Sequence, residues 1–206
     1  MVYRTTPKMA KRKEAHRAKF LQTAIRLFGS QGFHATTVPN IVNESGSSTG
    51  AFYFYFRNKE HVFAAALELI GEQVSAALNT AISRAGDDTF SQMRAAVVAL
   101  IVYFAQHPDE ARILIVESSG MTQQVAKVRR NIIASHCRSV EQALVSISGS
   151  LPELDPRVAA SCWVGAVHEA VYQWLQTPKG QRAKAETLAR QVSSFNLRGI
   201  GASLED

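Results

Sequence analysis

Apolar residues recur with a helical period in nearly every long segment of the chain. Residues 8–29 place Phe20, Ala24, Leu27 and Phe28 on one face, with Lys11, Arg12, Lys19 and Arg26 around it. Gly29 and Gly32 are expected to end that helix. Thr36 and Thr37 offer N-cap hydroxyls to a short segment whose first turn tolerates Pro39. Glu44, Ser45, Gly46 and Ser47 form a tight turn in which Gly46 suits a left-handed position. A second short helix is predicted from about Ser48 to Tyr55. Asn58, Lys59 and Glu60 open a longer one with the stripe Phe63, Leu67, Ile70, Val74, Leu78 and Ile82.

The rest continues in the same style. Asp87 and Asp88 precede a helix carrying Phe90, Met93, Val97, Leu100, Ile101 and Phe104 on one face. Pro108 starts a short helix through Ile115, and Val125, Val128, Ile132, Val140, Leu144 and Ile147 mark a long one. Asp155 and Pro156 supply an N-cap and a first-turn proline for a helix holding Cys162, Trp163, Val167 and Trp174. Pro178 and Gly180 stop it, and a last helix contains Leu188, Val192 and Phe195. No alternating strand and no fixed repeat is found, so the fold class is all-α.

Charge adds an asymmetry to this picture. Residues 1–61 hold ten basic and three acidic side chains, a net +7. The remaining residues hold thirteen basic and fourteen acidic ones, a net −1. A basic head on a near-neutral body fits a partner that is negative at one end, either nucleic acid or an anionic membrane surface. The longest apolar run, residues 95–105, is too short to span a bilayer, and no secretory signal is recognisable. Membrane association is therefore not expected. Cys137 and Cys162 have no zinc or redox spacing and read as reduced thiols in a cytoplasmic protein. No metal site and no cofactor are expected.

The informative stretch is residues 36–62. It reads as two short helices joined by a glycine turn and preceded by a longer amphipathic helix, a helix-turn-helix arrangement. Ser48, Thr49, Gly50 and Ala51 are small enough for the second short helix to approach base edges and phosphates. Thr36, Thr37, Ile41, Gly46, Ser48, Gly50, Tyr53, Tyr55, Phe56, Lys59 and Val62 together resemble the DNA-binding domain of TetR-type transcriptional regulators. Ala24, Leu27, Phe28, Gly32 and Phe33 agree with the helix before it. Val42, Ser45 and Ser47 depart from the family's usual small or branched residues, and Pro39 is atypical.

The resemblance implies a helix-turn-helix DNA-binding domain over residues 1–61 and a helical ligand-binding and dimerisation domain over 62–206. It implies contacts to double-stranded operator DNA from Arg4, Lys8, Lys11, Arg12, Thr36, Thr37, Ser48, Thr49, Gly50, Ala51, Tyr53, Phe54, Tyr55 and Lys59. It also implies a homodimeric repressor reading a palindromic operator, with Ala159, Ala160, Gly165, Ala166 and Ala170 on the dimerising helices. An apolar or amphipathic small-molecule effector is expected among Met93, Val97, Phe104, Ile113, Val116, Glu117, Ile132, His136, Val140, Trp163 and Val167. Residues 111–120 and 165–175 are loosely similar to regulators of fatty-acid metabolism that sense acyl-CoA. Drug-efflux regulators are equally apolar inside.

Two other chemistries are weighed and set aside. Gly46 to Gly50 satisfies the nucleophile-elbow pattern of serine hydrolases, but that elbow requires a preceding strand and this segment follows a helix. His168 and Glu169 are adjacent in sequence and do not face one another on a helix. No catalytic residues are assigned.

Overall fold

The computed structural model describes residues 7–147 and 154–202, with side chains from residue 11 onward. Among them the chain forms nine α-helices and no strand. They are α1 (Pro7–Ala35), α2 (Val38–Glu44), α3 (Thr49–Tyr55), α4 (Lys59–Arg84), α5 (Thr89–Gln106), α6 (Pro108–Arg112), α7 (Gln123–Ser146), α8 (Pro156–Gln176) and α9 (Ala185–Gly199). Among these residues no helix is long and apolar enough to cross a membrane.

Local chemistry sets the helix ends. Thr37 caps α2 through a reciprocal pair: its hydroxyl accepts the Asn40 N–H, and the Asn40 side chain accepts the Thr37 N–H. The α2–α3 turn is closed by Ser47 N–H to Val42 O and Gly46 N–H to Asn43 O, with Gly46 at φ 59°. Val42 and Ser45, the departures from the family pattern, are both buried there, and the Ser45 hydroxyl donates to the Val42 carbonyl. Asn58, Asp88 and Asp155 cap α4, α5 and α8 with their side-chain oxygens.

Helices α1–α3 close around Phe20, Phe28, Ile41, Phe52 and Phe56, all essentially inaccessible to solvent. The 26-residue α4 leaves this cluster and runs into the second body. There it packs on α5 and α7, α7 packs on α8, and α5 on α9. The Asn196 amide donates to the Trp163 carbonyl and ties α9 to α8.

The first departure from the sequence expectation is at the end of α1. Gly29 does not end the helix. It lies at a crossing so tight that a Cβ there would stand 2.5 Å from the Asp109 Cα of α6. The break falls at Gly32, whose φ of 85° and ψ of 165° are not helical. That break strands the backbone of Phe33, whose N–H is taken by the Glu117 carboxylate at 3.0 Å and whose carbonyl is taken by the Lys59 ammonium at 2.8 Å.

The second departure is in the segment carrying Glu117. The helix from Pro108 does not run through Ile115 as a regular α-helix. After Arg112 it widens into a π turn over Ile113–Glu117, with Ser118 N–H reaching back to the Ile113 carbonyl. Arg112 lies 3.5 Å from the Glu117 carboxylate. At the α5–α6 corner the Tyr103 hydroxyl donates to Glu110 at 2.5 Å and its ring stacks on His107.

Because the atoms facing Gly29 are mostly backbone, they cannot step aside for a side chain. Gly29→Ala is expected to destabilise the protein by about 1–3 kcal/mol through overpacking, whereas the exposed neighbouring change Ser30→Ala should have little effect. Thermal or urea melts of the two variants make the comparison. A Gly29→Ala protein as stable as the wild type would show that α1 and α6 separate freely.

Candidate nucleic-acid interface and interior cavity

Helix α3 is held from beneath by its aromatics. Phe52 and Phe56 meet Phe20 with ring centroids 5.6 and 6.3 Å apart. The helix starts at Ser48, whose hydroxyl accepts the Ala51 N–H. Thr49 and Gly50 are exposed and Ala51 is half-buried, so the first turn presents a low surface. Tyr53 and Phe54 project beyond it, 54% and 65% exposed. The Lys13 ammonium lies 5.3 Å from the Phe54 ring, which brings the basic end of α1 beside α3. Lys11 and Arg12 are exposed on that end. Arg4 lies outside the described residues, and Lys8 is on α1 with its side chain outside them.

Three proposed DNA contacts are placed differently from the expectation. Thr36 is fully buried and its hydroxyl donates to the Gly32 carbonyl at 2.8 Å, so it fixes the break in α1 and faces no partner. Thr37 alone of the pair is exposed, as the α2 cap. Tyr55 is half-buried, 6.0 Å from the His16 ring and 6.1 Å from Phe20. It shares a face with Phe52, three positions earlier, so the outward aromatics are Tyr53 and Phe54. The Lys59 ammonium is committed to the Phe33 carbonyl and lies 4.1 Å from the Phe33 ring centroid. It is a tie between α1 and α4 before it is a charge offered to phosphate. The elbow-like residues 46–50 form the α2–α3 turn, where Ser48 is a helix cap with no strand behind it.

The second body holds a half-open cavity of about 400 Å³. Six of the expected residues line it: Met93, Val97, His136, Val140, Trp163 and Val167. Five do not. Phe104 and Ile113 are packed in the core, and Val116 is half-buried outside the cavity wall. Ile132 presses against the notch left by Gly71, where an added Cβ would meet its side chain at 2.8 Å. Glu117 faces the α1 break.

Sequence reasoning missed the wall supplied by α4, where Ser75, Leu78, Asn79 and Ile82 face the cavity. The three- and four-residue spacing of those positions was the available signal. His168, weighed in the sequence only beside Glu169, also lines the cavity. Burial first, then His136 and Arg129 nearby, push His168 down to about 4, and burial lowers His136 as well. No acidic or basic aliphatic side chain lines the wall. Among the described residues no cluster of three His, Cys, Asp or Glu side chains could hold a metal ion.

Comparison with known proteins agrees with this geometry. Residues 20–73 match the family described as bacterial regulatory proteins, tetR family, and residues 86–200 match the tetracyclin repressor-like C-terminal domain. The HTH-type transcriptional regulator YerO of Bacillus subtilis (strain 168) is 29% identical over 144 residues, 63% of this chain and 50% of YerO. This chain thus spans about half the length of the first curated relatives it matches. The probable acrEF/envCD operon repressor of Escherichia coli (strain K12) is 26% identical over 190 residues, covering 84% of this chain and 83% of the repressor. Among solved structures, the transcriptional regulator FadR from Bacillus subtilis in complex with stearoyl-CoA superposes with a TM-score of 0.78 at 18% identity. The superposition covers 89% of this chain and 98% of that one.

The depressed histidines make stability fall in acid. The unfolded chain binds a proton at His168 near the ordinary value of 6.5, and the folded chain only near 4. Stability is therefore unaffected by this group above 6.5 and is lost as pH falls from 6.5 towards 4. Melting temperatures measured from pH 8 to 4.5 should drop more steeply for the wild type than for His168→Gln. Parallel curves for the two proteins would assign the acid loss to other groups.

Proposed function

The chain belongs to the tetR family of bacterial regulatory proteins, and from that membership we propose that it is a ligand-responsive repressor which binds a palindromic operator as a homodimer. It is a transcriptional regulator and not an enzyme. The observation that carries the DNA-binding reading is the exposed first turn of α3 standing on a rigid aromatic base, with Lys11, Arg12 and Lys13 nearby. Thr49 and Gly50 sit low enough for close approach in a major groove, with Tyr53 and Phe54 at the rim. The basic end of α1 supplies charge to the phosphates. We take residues 1–61 as the DNA-binding part and 62–206 as the effector and dimer part, with α4 crossing between them. A cytoplasmic location fits an operator-binding partner.

Two-fold pairing is supported by apolar side chains left exposed on α8 and α9: Val158 and Phe195, 60% and 69% exposed, and Tyr172. Gly165 is exposed on the same helix, whereas Ala160 faces inward and is reserved for the chain's own core. The repressor sign is supported by the Escherichia coli relative, and an amphipathic effector by the regulator solved with stearoyl-CoA. The cavity between α4, α5, α7 and α8 is the effector site. Filling it favours one arrangement of α4 and α7 over another, and the shift reaches α1 through the Asp109 crossing and the Glu117 carboxylate. The two reading helices then miss successive grooves, which lie about 34–36 Å apart.

Selection of a duplex from a random library tests the DNA reading. On the selected sequence Thr49→Ala should cost about 1–3 kcal/mol and relax preference at one position per half-site. Lys59→Ala should weaken every duplex alike and lower the melting temperature, because it frees the Phe33 carbonyl. A changed base preference from Lys59→Ala, with a uniform loss from Thr49→Ala, would overturn the placement of α3.

Light scattering tests the assembly. A particle of twice 22.6 kDa is expected, and a stable monomer at micromolar concentration would remove the symmetric-operator model.

A further inference from the structure

The polarity of the cavity runs across it, from floor to mouth. Among its lining side chains, Met93, Val97 and Leu100 of α5 and Trp163, Val164 and Val167 of α8 are buried, and all are apolar or aromatic. The exposed ones are Asn79 of α4 and Ser135 and Ser139 of α7. Half-buried Ser75 stands four residues before Asn79 on the same helix.

Helices α4 and α7 run in the same direction along this mouth. Ile132 packs into the notch at Gly71, and beyond that contact Ser75 and Ser135, then Asn79 and Ser139, line one cavity. An antiparallel pair anchored at the notch would carry Ser135 and Ser139 away from Ser75 and Asn79. Each helix thus offers two polar side chains four residues apart, about 6 Å along its axis. The Ser139 hydroxyl donates to the Ser135 carbonyl at 3.2 Å, which leaves its oxygen able to accept. The side chains of Ser75, Asn79 and Ser135 have no hydrogen-bond partner among the described residues.

No formal charge faces this space. The wall holds no Asp, Glu, Lys or Arg. Burial lowers His136, and burial, then His136 and Arg129, bring His168 down to about 4, so both rings are neutral at pH 7.5. Arg129 itself stands off the wall, half-buried on α7. An ionised ligand group held in the cavity would lose its hydration with no counter-charge on the wall to replace it.

We propose that the cavity takes an uncharged, facially amphipathic molecule, a flat and largely apolar body whose hydroxyl groups lie along one edge. The body rests on the floor built by α5 and α8. The hydroxyls bond Ser75 and Asn79 on one side of the mouth and Ser135 and Ser139 on the other. The proposal rests on reading the cavity as the effector site. It separates such a molecule from one of equal polarity whose hydroxyls lie on opposite edges, and from one that is ionised.

The test uses naphthalene probes that differ in edge pattern and charge. In 2,7-dihydroxynaphthalene both hydroxyls lie on one long edge, and in 2,6-dihydroxynaphthalene they lie on opposite edges. Naphthalene-2,7-dicarboxylate keeps the one-edge pattern with two negative charges. In calorimetric titration at pH 7.5, wild type should bind the 2,7-diol about five-fold tighter than the 2,6-diol, with the dicarboxylate weakest. The double variant Asn79→Leu, Ser139→Ala alters two exposed positions and should bring the two diols to equal affinity. Continued binding of 2-naphthol shows that the variant's floor is intact. Equal binding of the diols by wild type, a preference that survives the double variant, or a dicarboxylate that binds tightest overturns the proposal. Release of the selected duplex is followed in parallel by gel retardation. Equal binding and equal release by the two diols would leave the effector reading standing and this proposal fallen. A preference for the 2,7-diol without release would do the reverse, and binding by none of the three would end both.

Discussion

Phe33 gives its N–H to a carboxylate 84 residues away and its carbonyl to an ammonium 26 residues away. Both bonds exist because Gly32 breaks α1 in the interior, where an unpaired backbone group would be costly. The broken end is then satisfied from the second body by Glu117 and from α4 by Lys59. The Phe33 ring is trapped between Phe28 and Phe63, at centroid distances of 5.7 and 5.2 Å. Polar pairing and aromatic packing thus converge on one residue. The position of α3 follows from it, since α2 begins two residues beyond the buried Thr36.

This arrangement makes the joint between the two bodies tight and specific. Backbone meets backbone at Gly29 and Asp109, and packed contacts of that kind shift between discrete arrangements more readily than they stretch. The π turn that carries Glu117 is itself packed against α8, the helix that contributes Trp163 and His168 to the cavity. A contiguous physical route therefore joins the cavity wall to the end of α1. The Arg112 Nε stands 3.5 Å from the carboxylate that closes this route.

Much of the architecture was legible because it depends on neighbours in sequence. The caps at Thr37, Asn58 and Asp155, the Gly46 turn and the stripe of α4 each follow from spacing and residue type. What was not legible depends on pairs far apart. The resemblance puts Glu117 in the cavity, and nothing in its local spacing tells that its carboxylate crosses to the Phe33 N–H. The pair Thr36 and Thr37 looks equivalent in sequence, yet Gly32 buries one and exposes the other. Lys59 looks like a free charge until the stranded carbonyl beside it is known. Ile132 has the right spacing for the cavity wall, and only the missing Cβ at Gly71 diverts it.

Helix α3 has seven residues, too few to persist alone in water. Phe52 and Phe56 hold it in place, and Ser48 and the Gly46 turn set where it begins. Thr49, Gly50, Tyr53 and Phe54 take almost no part in that support. On the proposed DNA-binding reading, recognition and folding would draw on separate residues of the same short segment. Substitutions on the outer face can drift through sequence space at little expense to the fold, each variant inheriting an intact scaffold. If that reading holds, a lineage built on this frame could change operator sequence by replacing a handful of side chains, within limits set by the buried face.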